Sequence, residues 1–352
     1  MKKTRIILSV IFLTGCLISN AQLSQVTVQN GSNIAFYADV KSAVNNASSG
    51  DTIYIPGGIF ELNSNLDIDK RIHIIGVGHY PDSTEATNYT RLEGYVRFFT
   101  GADTSSIEGC YITYDIRFGT SGSNDDIKNI TINRCNVQDI YLSYTGSATS
   151  ESENTLINEC VVRGNIFAAN TDNQIISKSI INNFIDYLSN SYVTNCIFLY
   201  VGSNNSVFGR YHPQFIVSSL FENNIIFDSY PLGGSSNNNQ NCMFNNNLFV
   251  YDQSFPYGTN VGSNNIVNFP QEDIFINQTG NAFSYDHNYH LQPTCPGVGA
   301  GTDGTNIGIY GTDLPYKEGA VPCNPHIQTQ NVTYDKNTNT LSVDVKVSAQ
   351  DR

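Results

Sequence analysis

The chain has 352 residues, 40% of them hydrophobic and 14% charged, enough to bury a core and too apolar for a disordered polymer. Eighteen Lys and Arg against 31 Asp and Glu leave a net charge of −13, which repels phosphate backbones and argues against a nucleic-acid partner, and more mildly against polyuronates. Asn occurs 44 times, Tyr 21 and Phe 19, with no Trp, a composition of extracellular strands and turns rather than of a cytosolic helical enzyme.

The first segment reads as an export signal. Lys2, Lys3 and Arg5 precede a short apolar run over 6–18, and Ser19-Asn20-Ala21 supplies the small-residue cleavage pattern. Residues 1–21 are therefore expected to be removed, taking three cations and changing −13 to −16. Leu13-Thr14-Gly15-Cys16 offers a lipobox as the alternative, with Cys16 as a lipidated terminus. No later run is long and apolar enough for a transmembrane segment.

Residues 39–47 place Val40, Ala43, Val44 and Ala47 at i, i+3, i+4 and i+7, which predicts a short amphipathic helix stopped at Gly50. Alternating segments over 51–62 and 66–76 predict strands. From residue 107 the chain repeats itself. With Cys110, Cys135, Cys160, Ser179, Cys196, Asn224 and Asn247 as anchors, the gaps are 25, 25, 19, 17, 28 and 23. Three residues before each anchor stand Ile107, Ile132, Ile157, Ile176, Val193, Phe221 and Phe244; two after stand Ile112, Val137, Val162, Ile181, Phe198, Ile226 and Phe249. A unit this short, without a 3.6-residue period, holds short strands and tight turns. Stacked units align the apolar positions into inward ladders, and Asn suits the turns because it tolerates left-handed backbone. One position before three anchors stand Arg134, Glu159 and Lys178, expected as an outward stack of alternating charge that supports register and solubility.

The prediction is an all-β chain: a right-handed parallel β-helix of roughly nine or ten coils over 22–322, an N-terminal helix covering its open end, and a β-hairpin tail over 323–352 that covers the last coil or docks on its side. The helix followed by Gly50-Asp-Thr-Ile-Tyr-Ile-Pro-Gly-Gly-Ile-Phe60 and Ile72-His-Ile-Ile-Gly-Val-Gly78 resembles the opening of secreted bacterial parallel β-helix proteins of the pectin-lyase-like superfamily, of Bacteroidetes type. The stretch from Asn288 to Gly304, with Ile307-Gly-Ile-Tyr-Gly311, resembles their last coil. That superfamily contains lyases, glycosidases, esterases and adhesins, so the resemblance implies a fold and leaves the activity open.

Of the remaining cysteines, Cys110, Cys135, Cys160 and Cys196 share one ladder position and read as buried free thiols. Cys295 and Cys323 lie in Pro/Gly-rich turns, and a disulfide between them would tie the tail to the end of the stack. Catalytic patterns are sparse. A lyase reading would call for Ca²⁺ held by carboxylates converging from adjacent coils, yet the paired acids Asp125-Asp126 sit in a solvated turn; Asp172, His287 and His290 read as structural. No metal or other cofactor is expected otherwise. Tyr80, Tyr89 and Arg91, in the insertion over 76–94, and Arg210, Tyr211 and His212, in the longest gap, are the candidate substrate-binding residues, since tyrosine faces and guanidinium suit sugars. The function expected is an extracellular or cell-surface β-helix that binds a polysaccharide or cell-surface glycan, or serves a surface-structural role, without catalysis. The alternative is a polysaccharide lyase or glycoside hydrolase.

Overall fold

The computed structural model describes residues 25–120, 125–143, 152–202, 208, 216–229, 232 and 239–349. The chain is all-β, a solenoid-like stack built on two long sheets of twelve and thirteen strands. In the first, the hairpin Val26–Asn30 and Asn33–Tyr37 lies antiparallel to Thr52–Tyr54. From Thr52–Tyr54 the strands run parallel through to Val261–Ser263. The second sheet begins with the long strands Gly58–Ile68 and Thr90–Phe98; later coils split each into two short strands, so that Tyr111–Ile112 and Ile116–Phe118 both pair with Thr90–Phe98.

The repeat register is that of the sequence. Ile107, Ile132, Ile157, Ile176, Val193, Phe221 and Phe244 are successive partners in the first sheet. Val137, Val162, Ile181, Phe198, Ile226 and Phe249 are successive partners in the second. All are at most 1% exposed, because strands ~4.8 Å apart put each side chain directly on its equivalent. The α-helix Val40–Asn46, the one α-helix among the described residues, buries Val40, Ala43 and Val44 against the first strands. Asp39 accepts from Ser42 N at its start, and Lys70 Nζ donates to the carbonyls of Val44, Asn45 and Ala47 at its end. Among the described residues no helix is long and apolar enough to cross a membrane.

From Ser106–Glu108 to Met243–Asn245, each coil turns from the first sheet to the second through one residue of positive φ: Gly109, Arg134, Glu159, Lys178, Asn195, Asn223 and Asn246. Glycine and asparagine tolerate this conformation, whereas for Arg, Glu or Lys it costs about 1–2 kcal/mol each. The compensation is visible. After the last coil, the chain runs back along this corner as a strap, from Ala300 to Cys323, and every corner residue except Gly109 takes hold of it through its side chain. Asn246 Nδ2 donates to Ala300 O, Asn223 pairs with Thr302 through both N–H and hydroxyl, and Asn195 Nδ2 donates to Gly308 O. Lys178 Nζ donates to Leu314 O, Glu159 accepts from Lys317 N, and Arg134 Nη1 donates to Val321 O.

Two sequence expectations change here. The charge stack is not outward: Arg134 and Glu159 side chains are each 4% exposed beneath the strap, with Arg134 3.1 Å from Glu159 and 3.2 Å from Glu108, and Lys178 3.7 Å from Glu159. Residues 307–311 are part of the strap rather than a last coil, because Gly308 N donates to Asn223 O on the stack's corner.

The tail hairpin, His326–Asp335 with Thr340–Ser348, follows the strap to the early coils and so does not cover the last one. Only its base is held: Ala86 N donates to Gln328 O, and His326 Nε2 meets Ser83 O at 2.8 Å. Beyond the base it projects, exposing Val332, Tyr334, Leu341, Val343 and Val347.

The expected Cys295–Cys323 bridge is absent; both are free thiols, as are the other described cysteines. Cys295 is buried in the apolar cluster that contains Leu248 and Ile307. The strap has carried Cys323 to Glu108, whose carboxylate accepts from its backbone N–H. Six strand steps separate Glu108 from Asn245 in the first sheet, roughly 30 Å at the inter-strand spacing and far beyond disulfide reach. Burial pushes the thiols of Cys160 and Cys196 up to about 12 and that of Cys242 up to about 11.

Glu159→Ala would leave Arg134 buried with half its carboxylate partners and release Lys317 N. It is expected to destabilise by about 3–5 kcal/mol, read as a lower urea midpoint, with proteolysis appearing first between 314 and 323. Iodoacetamide on the native, unreduced protein should label Cys323 first and Cys110, Cys135, Cys160 and Cys196 only on unfolding, with peptide mapping showing no cross-linked pair.

Candidate functional site

The outward side chains of the second sheet divide into a covered and an open part, and one register column shows why. Arg91, Tyr111, Asn136, Val161, Ile180, Ile197, Ile225 and Leu248 are successive partners. From Ile180 onward this column is buried in a second apolar cluster with Ile274, Phe275, Tyr289, Ile307 and Ile309, contributed by the chain after the last coil. The cover's margin lies at Phe283 and Tyr285: Phe283 N donates to Asn182 Oδ1, and Asn136 Nδ2 donates to Tyr285 OH. Short of that margin the face is open and polar.

The open face is built from five consecutive coils. Arg117 sits between Asp115, Tyr95 and Tyr141: 2.6 Å from the carboxylate, and 4.2 and 5.2 Å from the two ring centroids. Tyr95 stacks on Tyr114 at 5.0 Å and Tyr141 on Phe167 at 4.6 Å. Arg97 makes a two-pronged pair with Asp67 at 2.7 Å, and Arg91 lies 2.7 Å from Glu93. Arg163 donates to the carbonyls of Ile112 and Thr113 and lies 4.7 Å over the Tyr111 ring. Ring faces here are largely taken up by neighbouring rings and guanidinium groups. What the face presents outward is ring edges, phenol hydroxyls, guanidinium N–H groups and carboxylates.

Two pairs of acids meet across coils. Glu61 is the register partner of Glu93, and a shared hydrogen bond between them raises the carboxyl of Glu61. Asp115 and Asp139 each precede a paired residue, Ile116 and Ile140, so they neighbour one another on adjacent coils. Asp139 is half-buried, and its carboxyl is raised by that burial, opposed by the N–H of Asn165 and reinforced by the Asp115 charge. Arg91 Nε, Thr113 Oγ1, Arg163 Nε and Asn165 Oδ1 are buried there without a hydrogen-bond partner from the protein. Among the described residues no three His, Cys, Asp or Glu side chains converge to hold a metal ion.

Of the expected site residues, Tyr89 and Arg91 belong to this face: Tyr89 lies 5.5 Å from Tyr111 and bonds Arg91. Tyr80 does not. It is packed under the strap, its hydroxyl 3.1 Å from that of Tyr316 and its ring against Tyr285. Arg210, Tyr211 and His212 lie outside the described residues. Asp172 is on the surface, accepting from Asn190; His287 bonds Tyr289 OH and His290 stacks on Tyr310.

The sequence reading found no acids converging from adjacent coils, and the Asp115–Asp139 pair corrects it. Asp115 stands five residues after its anchor and Asp139 four, because the turn into Ile116 is one residue longer, so counting from anchors hides the match. A second signal was present: Val161-Val162, Ile180-Ile181, Ile197-Phe198, Ile225-Ile226 and Leu248-Phe249 are apolar on both faces, the mark of strands buried on two sides. Tyr111-Ile112 and Asn136-Val137 are not, which marks where the cover stops. Compared with family models, curated proteins and solved structures, the chain matches none of them.

Because the folded protein raises the Asp139 carboxyl, its ionisation works against folding. That burden is absent well below the ordinary value of 3.8 and is fully imposed once the pH exceeds the raised one. Asp139→Asn should therefore melt higher than wild type at neutral pH and lose that advantage in acid; an equal difference at both pH values would contradict the assignment.

Proposed function

We propose that the protein is a secreted, non-catalytic glycan-binding solenoid whose open second-sheet face is the binding surface. In this reading the stack is a right-handed parallel β-helix of nine or ten coils of the pectin-lyase-like type, closed at one end by helix Val40–Asn46 and exported through the leader over 1–21.

The observation that carries it is the mutual neutralisation of the face. Arg91, Arg97 and Arg117 each lie within 2.7 Å of Glu93, Asp67 and Asp115 respectively. Paired guanidinium and carboxylate groups offer donors and acceptors at fixed spacing with little net field. Such an array matches the vicinal hydroxyls of a neutral polysaccharide and gives a polyuronate no attraction beyond that of an already acidic protein. The ligand is held through hydrogen bonds at ring edges rather than by stacking on open faces.

One observation favours a second reading, glycoside hydrolysis: Asp139, raised and beside Asp115, has the character of a general acid with a neighbouring carboxylate.

Incubation with neutral and acidic plant and algal polysaccharides, with and without Ca²⁺, separates the readings. Retention of the protein on a neutral polysaccharide, lost by about tenfold in Arg117→Ala and with no new reducing or unsaturated ends, is the expected result. Release of reducing ends that disappears in Asp139→Asn would establish the hydrolase instead, and binding confined to polyuronates would refute the neutral-ligand reading.

A further inference from the structure

The tail hairpin sorts its side chains by polarity. In register, Tyr334, Val332 and Gln330 stand opposite Leu341, Val343 and Val345. Side chains alternate along a strand, so these six and Val347 lie on one side. A register shift between Ile327 and Thr329 adds one residue to the first strand and turns Ile327 onto that same side, opposite Val347. Gln330 is the single polar residue among them. The other side is polar, with Thr329, Asn331 and Thr333 opposite Lys346, Asp344 and Ser342.

An antiparallel sheet with one solvated face packs the other, and a two-stranded hairpin is marginal in water by itself. Here the apolar side meets solvent: its seven large apolar side chains, from Ile327 to Val347, are 39–62% exposed. At roughly 100 Å² each they form a patch of about 700 Å², larger than the largest patch of an ordinary monomer.

Charge and area select what covers it. Two copies at −13 each repel over most of their surfaces. The hairpin's charged residues are Asp335, Lys336, Asp344 and Lys346, two of each sign, so this neutral projection is a place where like copies meet without that repulsion. Two such faces packed together remove on the order of 1,400 Å² from water, within the range of specific dimer interfaces. Pairing of strand edges would leave the apolar side wet, and Asp344 and Lys346 on the second strand oppose it.

We propose that the chain forms a two-fold dimer through this face, the two hairpins packing apolar side against apolar side as a four-stranded sandwich. The self-association does not rest on what the second-sheet face binds.

The test is sedimentation velocity on the full chain across a dilution series. The protein should sediment as a dimer at about 50 µM and dissociate on dilution. Val343→Asp, at the middle of the apolar side, should give a monomer at the same concentration, while Ser342→Asp, its neighbour on the polar side, should leave the dimer intact. Since Val343→Asp could also open the hairpin, Val343→Thr keeps the β-branched shape and should weaken association at least about tenfold, because both copies lose a buried methyl. All three variants should keep the wild-type melting temperature, as the stack does not use this face, and Arg117→Ala should keep the dimer. A monomer up to about 100 µM, a dimer that survives Val343→Asp, or equal loss on Ser342→Asp would each overturn the proposal. A monomer that floats with phosphatidylcholine vesicles, and fails to in Val343→Asp, would overturn it by assigning the face to a lipid surface instead.

Discussion

The whole structure depends on one backbone constraint, the left-handed corner between the two sheets. Stacking at a fixed strand spacing has the coils turn at the same place, and from Gly109 onward that place takes positive φ. Where Gly or Asn fills it the constraint is met locally. Where Arg134, Glu159 and Lys178 fill it, φ remains at 46–54°, and the strained residues are held by one another and by the strap. The corner thus does two things: it fixes the register of the apolar ladders, and it presents a line of side-chain donors and acceptors along which the chain can return. Asn224, Asn247 and Asn265, one residue on, extend the same logic inward, each amide accepting from the backbone N–H of the coil before it.

The return decides where a ligand can reach. The segment that lies over Ile180, Ile197, Ile225 and Leu248 converts most of the second sheet's outer surface into core, and its margin at Phe283 and Tyr285 leaves Tyr111, Arg117, Asp139, Tyr141 and Arg163 uncovered. The extent of the open face is therefore set by one event, the docking of the chain's last quarter on its own earlier coils.

That separation explains what could be read from residues and what could not. Periodicity is a local signal, and it placed Ile107 through Phe244 and their second-sheet counterparts in register because each equivalent lies one short coil away. The site is not periodic. Asp115 and Asp139 are aligned by a turn one residue longer in one coil than in the next, which spacing from Cys110 and Cys135 conceals. Tyr80 looked exposed because it stands in an insertion, and only the distant Tyr316 and Phe283 bury it. Cys295 and Cys323 are 28 residues apart in sequence, yet the strap between them runs along the coils from Asn246 to Glu108. Arg134 and Glu159 read as surface charge since nothing near them in sequence announces the chain that covers them.

A stack of equal units touching only their neighbours would behave as a one-dimensional array, free to melt from either end a coil at a time. The strap removes that freedom. Its contacts run from Asn246 to Arg134, so the early and late coils share one element, and loosening any coil between them loosens grips on both sides. Native contacts then span much of the chain length, which couples the repeats into one cooperative unit at the expense of folding speed. The last quarter must wait for the earlier coils before it has a surface to close upon, and the polar face is open on those coils that the closing chain does not reach.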